Sequence, residues 1–281
     1  MGLPNLSYMM NVGQLRYIQS IYEVPEHRNP DALIHNFLSH SEIWGCRLRG
    51  MVAINRLRRN PFYYYVLART RHYDAVFASA IEDGAKCILN IGCGSDTRAY
   101  RYVESLKKNG VACTECDQSA AIVNKEKLVR ARLDGGHVDF MSIDLNAGAW
   151  PEFERWLAAR AGSKFLVMME GVSPYIDEKA FRTFLSLLNE RLLPGSRVAY
   201  DFKLKGVSDR FGQADVSHVP FRLSGDAKQI DQFHSALGFR VDGFELGSAL
   251  VGRTLPGVRE GGWPAFEEDA LVQLTVEGAK R

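Results

Sequence analysis

Residues Cys87 to Arg98, Cys-Ile-Leu-Asn-Ile-Gly-Cys-Gly-Ser-Asp-Thr-Arg, restrict the fold more than any other stretch of this chain. A strand-like run, Cys87 to Ile91, enters Gly92-x-Gly94 without a spacer, and a helical pattern follows from Thr97. In an open α/β sheet the first strand-to-helix turn takes glycine because the backbone must bend sharply and lie against a ligand. That ligand occupies the crevice at the carboxyl ends of the strands. The segment therefore points to a nucleotide-type cofactor site, although a glycine pair by itself also serves ordinary turns.

The surrounding chain agrees with such a sheet. From Cys87 onward β-rich runs alternate with helical patterns, the signature of βαβ units. Seven strands are expected: Cys87 to Ile91, Ala112 to Cys116, Val138 to Ile143, Phe165 to Glu170, Arg197 to Phe202, Phe239 to Leu246 and Leu271 to Glu277. The first and fourth are the most apolar and should be central, covered on both faces. Between Glu178 and Leu193, Phe181, Phe184, Leu185, Leu187, Leu188 and Leu192 form a helical stripe ended by Pro194-Gly195. Residues 1–84 read as a helical cap and substrate region, and 85–281 as the α/β domain. Residues 203–225 have no sustained period and are expected to form a lid.

Composition removes several alternatives. Of 281 residues, 46% are hydrophobic and 24% charged, which excludes a disordered or collagen-like chain. The longest apolar run, Phe165 to Met169, is far short of the ~20 residues that cross a bilayer. A net charge of +2 gives no field for nucleic acid. The opening residues lack the order of a signal peptide, and five cysteines suit reduced thiols, so a cytoplasmic location is expected. Cys113-x-x-Cys116 falls on an expected strand and the seven histidines show no HExxH spacing, so no metal is expected. Gly171-Val-Ser173 lacks the second glycine of a nucleophile elbow. The arginines at 47, 49, 56, 58 and 59 scatter around a helix and read as a solvated surface.

Asp117 strengthens the cofactor reading. It ends the second strand 25 residues after Gly92, where such folds place a carboxylate to accept both hydrogen bonds of a ribose diol. A dinucleotide fold would place glycine or alanine three residues after Gly94 to admit a pyrophosphate, but Thr97 stands there. S-adenosyl-L-methionine carries no phosphate and fits better. It needs a close backbone, a ribose acid, an adenine slot and a grip on its amino-acid end.

Asn90-Ile-Gly-Cys-Gly-Ser-Asp-Thr-Arg98 with Arg101, then Glu115-Cys-Asp117, then Glu170-Gly-Val-Ser-Pro-Tyr175, together resemble the leucine carboxyl methyltransferase family, including its bacterial O-methyltransferase branch. The resemblance runs from about Pro61 to Glu190. It implies a class I methyltransferase fold, Rossmann-like, seven-stranded with the last strand antiparallel, under a helical cap. It also implies that Arg69 holds the methionyl carboxylate, with Arg71 a competitor. Asp117 would bind ribose, Asp144 and Leu145 the adenine, and Glu170 would face the cofactor. Ser95 departs from the pattern, where an aromatic is common, and the cap offers no clear match for a further basic cofactor ligand.

The chemistry expected is in-line methyl transfer to a small-molecule carboxylate or hydroxyl, a metabolite or natural product. A carboxylate needs no base, whereas a hydroxyl generally does. Tyr175 and Tyr200 are the candidates to orient the acceptor, and Tyr200, Asp201 and His218 the candidates for a base. A nicotinamide oxidoreductase and a non-catalytic cofactor-binding protein are the alternatives. The oligomeric state is not legible.

Overall fold

The computed structural model describes residues 10–206 and 220–277. Three helices precede the sheet: α1 (Val12–Tyr22), α2 (His40–Arg58) and α3 (Pro61–Glu82). Each starts on a side-chain cap that satisfies a backbone N–H of the first turn: Asn11, Ser39 with Glu42 as a reciprocal box, and Asn60 ahead of Pro61. The α/β part then runs β1 (Cys87–Ile91), α4 (Arg98–Arg101), α5 (Val103–Asn109), β2 (Ala112–Asp117), α6 (Ser119–Arg132), β3 (Val138–Ser142), α7 (Pro151–Ala158) and β4 (Phe165–Met169). It continues with α8 (Glu178–Arg191), β5 (Arg197–Leu204), β6 (Arg222–Leu223), α9 (Ala227–Ser235), β7 (Phe239–Leu246), α10 (Gly247–Thr254), α11 (Pro256–Glu260) and β8 (Asp269–Val276).

The strands form one sheet in the order β3-β2-β1-β4-β5-β8-β7, with β6 paired to the end of β5. β1 to β5 are mutually parallel, and β8 is antiparallel to both β5 and β7. The expected seven strands are present within two residues of their expected bounds, and the last one is antiparallel. The short β6 is an addition. It pairs Arg222 and Leu223 with Lys203 and Leu204, beyond the reach of β4. Of the expected lid, residues 207–219 lie outside the described residues.

Every residue of β1 and β4 is buried, as central strands covered on both faces require. One apolar cluster joins α3 to one face of the sheet through Val66, Phe77, Ile88, Leu166 and Ala199. The other face packs on α7 and α8 through Phe153, Phe184, Val167 and Val198. α3 therefore lies on the sheet itself, and α1 and α2 stack outside it. The strand order reverses between β1 and β4, where their helices leave to opposite sides. Their carboxyl ends part there and open a crevice.

Candidate functional site

Three glycines with positive φ line the crevice, Gly92, Gly94 and Gly171, and two of them mark the strand ends. Gly92, φ 65°, ends β1, and Gly171, φ 71°, follows β4. Both border two adjoining hollows. The larger, about 320 Å³, is walled by Ile91, Asp117, Ile143, Leu145, Val172, Tyr175 and Ile176, so it is apolar with an acid at its rim. The smaller, about 180 Å³, is polar: Arg16, Arg69, Asn90, Ser95, Asp96 and Glu170 surround the glycine turn. An elongated ligand with one apolar and one ionic end fits this pair of hollows.

Asp117 stands where the hollows meet. Its Oδ2 accepts from Gly94 N at 2.8 Å and its Oδ1 from Gln118 N at 2.8 Å. The carboxylate is thus oriented by backbone, and each oxygen retains lone-pair capacity for a diol. Leu145 is buried in the apolar wall, and Asp144 is exposed, its Oδ1 accepting from Asn146 N at 2.9 Å.

The ionic end is a buried network. Glu170 accepts from Arg16 Nη2 at 2.6 Å and Arg69 Nε at 3.1 Å on one oxygen, and from Arg98 Nη1 at 2.8 Å on the other. Burial alone would raise its pKa, but the three guanidiniums outweigh that cost and bring it down to about 2. Arg69 Nη1 also donates to Asp201 Oδ2 at 2.8 Å, and Gly171 N to Asp201 Oδ1 at 2.6 Å. Burial, only partly offset by Arg69, pushes Asp201 up to about 6. Arg98, fully buried, adds Asp74 and Asp96 as partners. Charges this deep persist only in such reciprocal pairing. Arg16 Nε is buried with no hydrogen-bond partner, while Arg16 Nη1 lies 3.7 Å from Asp31 Oδ2.

The structure brings together Arg69, Gly92, Gly94, Asp117, Leu145, Glu170 and Tyr175 around the crevice, with Asp144 beside Leu145 and Asp201 behind Arg69. Arg71 is elsewhere: its Nη2 donates to the carbonyls of Glu26 and Arg28, and it borders a separate groove against β7. Tyr200 corrects an expectation. Strand residues alternate faces, so Tyr200 points opposite to Asp201, into the core with Phe181 and Phe221. There its hydroxyl meets His234 Nε2 at 2.6 Å, and it lines neither hollow. His218 lies outside the described residues. Thr97, which spoke against a pyrophosphate, is fully buried and donates to Asp31 at 2.5 Å.

Sequence reading missed Arg16. It lies on α1 with no motif around it, and only the packing of α1 over the crevice brings it to Glu170, 154 positions away. Its place on α1, about 100° around the helix from Leu15 and 160° from Ile18, gives no sign of it either.

Comparison with known proteins places this geometry. A Mycobacteroides abscessus protein is 24% identical over 256 residues, covering 82% of this chain and 81% of its own length. A Streptomyces coelicolor protein is 25% identical over 163 residues, 57% of this chain; the chain spans only 56% of that relative. The names of both assign them to the S-adenosyl-L-methionine-dependent methyltransferases, without an acceptor. Among solved structures, the magnesium protoporphyrin IX methyltransferase of Synechocystis, with S-adenosylhomocysteine bound, is similar at a TM-score of 0.47 and 15% identity, over 77% of this chain and 87% of that one. The sequence model of the leucine carboxyl methyltransferase family matches residues 15–189, more than half of the chain, including Arg16, Arg69, the glycine turn, Asp117, Leu145 and Glu170 but not Asp201. The chain belongs to the leucine carboxyl methyltransferase family.

Proposed function

We propose that this chain is a methyltransferase that binds S-adenosyl-L-methionine in the crevice and methylates a carboxylate oxygen of a small molecule. The observation that carries the cofactor assignment is the pairing of Asp117, held by Gly94 N, with the buried arginines across the same glycine turn. The residues fit the group end by end. Ile143, Leu145, Val172 and Ile176 offer a slot for adenine, and Asp117 suits the ribose diol. The Nε of Arg16, buried and without a partner, suits the methionyl carboxylate, with Arg69 beside it. When bound, the cofactor supplies an electrophilic methyl on a sulfonium.

The chain's own part is to bind, align and exclude water. Glu170 fixes Arg16 and Arg69 in place, and Asp201 locks Arg69 from its other side. α1 covers this end of the crevice. Tyr175, half exposed at the rim of the apolar hollow, is the residue we assign to orient the acceptor. Among the described acids of the crevice, Glu170 and Asp96 are committed to arginines, Asp117 is assigned to the ribose, and Asp201 lies behind Arg69 with both oxygens bonded, so none is placed as a base for an acceptor. An acceptor that is already an anion avoids that need, which favours a carboxylate over a hydroxyl.

The product decides. After incubation with labelled cofactor and a panel of carboxylic acids, mild alkali should release labelled methanol, read by mass spectrometry. A label stable to alkali would mark an ether or amine and reject the carboxylate acceptor.

A further inference from the structure

Lys125 belongs to α6, eight residues after Asp117, and lines neither hollow. Its side chain is nonetheless almost wholly buried. Its ammonium donates to Glu115 Oε1 at 2.8 Å, to the carbonyl of Asp96 at 3.0 Å and to that of Cys93 at 3.3 Å. An ammonium has three N–H donors, and all three are spent. Two of them fall on carbonyls of the 92–96 turn, one between its glycines and one at its end. The third falls on a carboxylate two residues before Asp117.

An apolar side chain would fill the same space without the cost of desolvating a cation. What it could not do is hold two carbonyls that point inward from a loop. The turn needs holding, because Gly92 and Gly94 both sit at positive φ, 65° and 38°, where glycine has many alternatives. Three successive residues of β2 do so. Asp117 accepts from Gly94 N, Cys116 O accepts from Cys93 N at 3.0 Å, and Glu115 acts through Lys125. Glu115 is itself anchored, its Oε2 accepting from Tyr100 on α4 at 2.5 Å. The Lys125 ammonium also lies 5.6 Å from the Phe37 ring, so the cap touches the same clamp.

We propose that Lys125, with Glu115, is a positioning residue for the cofactor: it keeps the 92–96 turn in its binding shape without touching the ligand. The proposal rests on the cofactor site assigned above, and two sets of variants separate their failures. Calorimetric titration with S-adenosylhomocysteine is the readout, with thermal melting alongside. Asp117→Ala tests the site itself and should weaken binding about tenfold or more. For the clamp, Lys125→Met combined with Glu115→Gln removes both charges together, so no buried ion is left unpaired. This double variant should melt near the wild type yet bind S-adenosylhomocysteine about tenfold more weakly. With saturating S-adenosylmethionine its kcat should stay within about twofold, since the turn only has to be captured once. A folded double variant that binds within twofold of wild type, while Asp117→Ala is impaired, overturns the role of Lys125 alone. If Asp117→Ala binds normally, the site assignment falls and takes this inference with it. Should the double variant fail to fold, Lys125→Gln combined with Glu115→Gln decides, because it too leaves no buried ion unpaired and its amide cannot supply the ammonium's three donors. Weakened binding by that variant supports the clamp, and unchanged binding rejects it.

Discussion

At the scale of single residues, the crevice is decided by which arginine reaches which acid. Arg69 and Arg71 are two positions apart on α3, about 200° around the helix, so they cannot share a face. Arg69 turns to Glu170 and Asp201, and Arg71 turns to the backbone of the 26–28 loop. Arg16→Ala and Arg69→Ala should therefore each weaken S-adenosylhomocysteine binding about tenfold or more, while Arg71→Ala stays within about twofold. Calorimetry on the three folded variants checks this ranking, and an Arg71 effect as large as that of Arg69 would move the assignment. Arg69→Ala also leaves buried Glu170 and Asp201 short of a partner, so it should lower the melting temperature as well. Spacing named Asp117, at the end of β2, and the family resemblance named Arg69 and Glu170. They could not name Arg16, whose partner is chosen by a helix contact far along the chain.

At the scale of elements, that contact is the packing of α1 on α2. Gly50 on α2 makes room for it: a Cβ there would fall 2.2 Å from the ring of Tyr22, at the end of α1. Tyr22 is tied back by its hydroxyl, which donates to the carbonyl of Arg47 at 3.0 Å. Gly50→Ala should push α1 outward and cost about 1–3 kcal/mol, as overpacking does. Because α1 carries Arg16, cofactor affinity should fall with stability. Equilibrium unfolding in urea and calorimetry on the same sample test both parts. A variant as stable as the wild type would show that Tyr22 swings aside freely. α2 was expected to present its arginines as a solvated surface. One is drawn inward instead: Arg58 forks onto Glu23 at 3.0 and 3.1 Å, whereas Arg47 stays exposed while donating to Tyr17.

At the scale of the whole molecule, buried titratable groups set the response to acid. Burial holds His234 and His72 down at about 4, the former with Nε2 accepting from Tyr200 and Nδ1 donating to Ile230 O. Unfolded histidine binds its proton near 6.5, so the stability these two confer is complete above that pH and is lost as pH falls towards 4. Asp201 acts oppositely: raised to about 6, it takes up a proton in the folded state first, which offsets part of the loss between about 6 and 4. Glu170, held at about 2, adds a further loss below its unfolded value of 4.5. The melting temperature should therefore fall from pH 6.5 to 4 and fall more steeply below 4.5. His234→Gln, which keeps an acceptor for Tyr200, should flatten the first part of that decline. A variant curve parallel to the wild type would remove His234 as a source. The sequence by itself determined the seven main strands, the glycine turn and the acid that ends β2, because each is written within a few adjacent residues as period, burial or turn chemistry. Only the tertiary structure decided that Arg16 joins the site, that Tyr200 leaves it and that Lys125 braces it. Those outcomes depend on helix packing and on which strand face meets which layer, and neither is encoded locally.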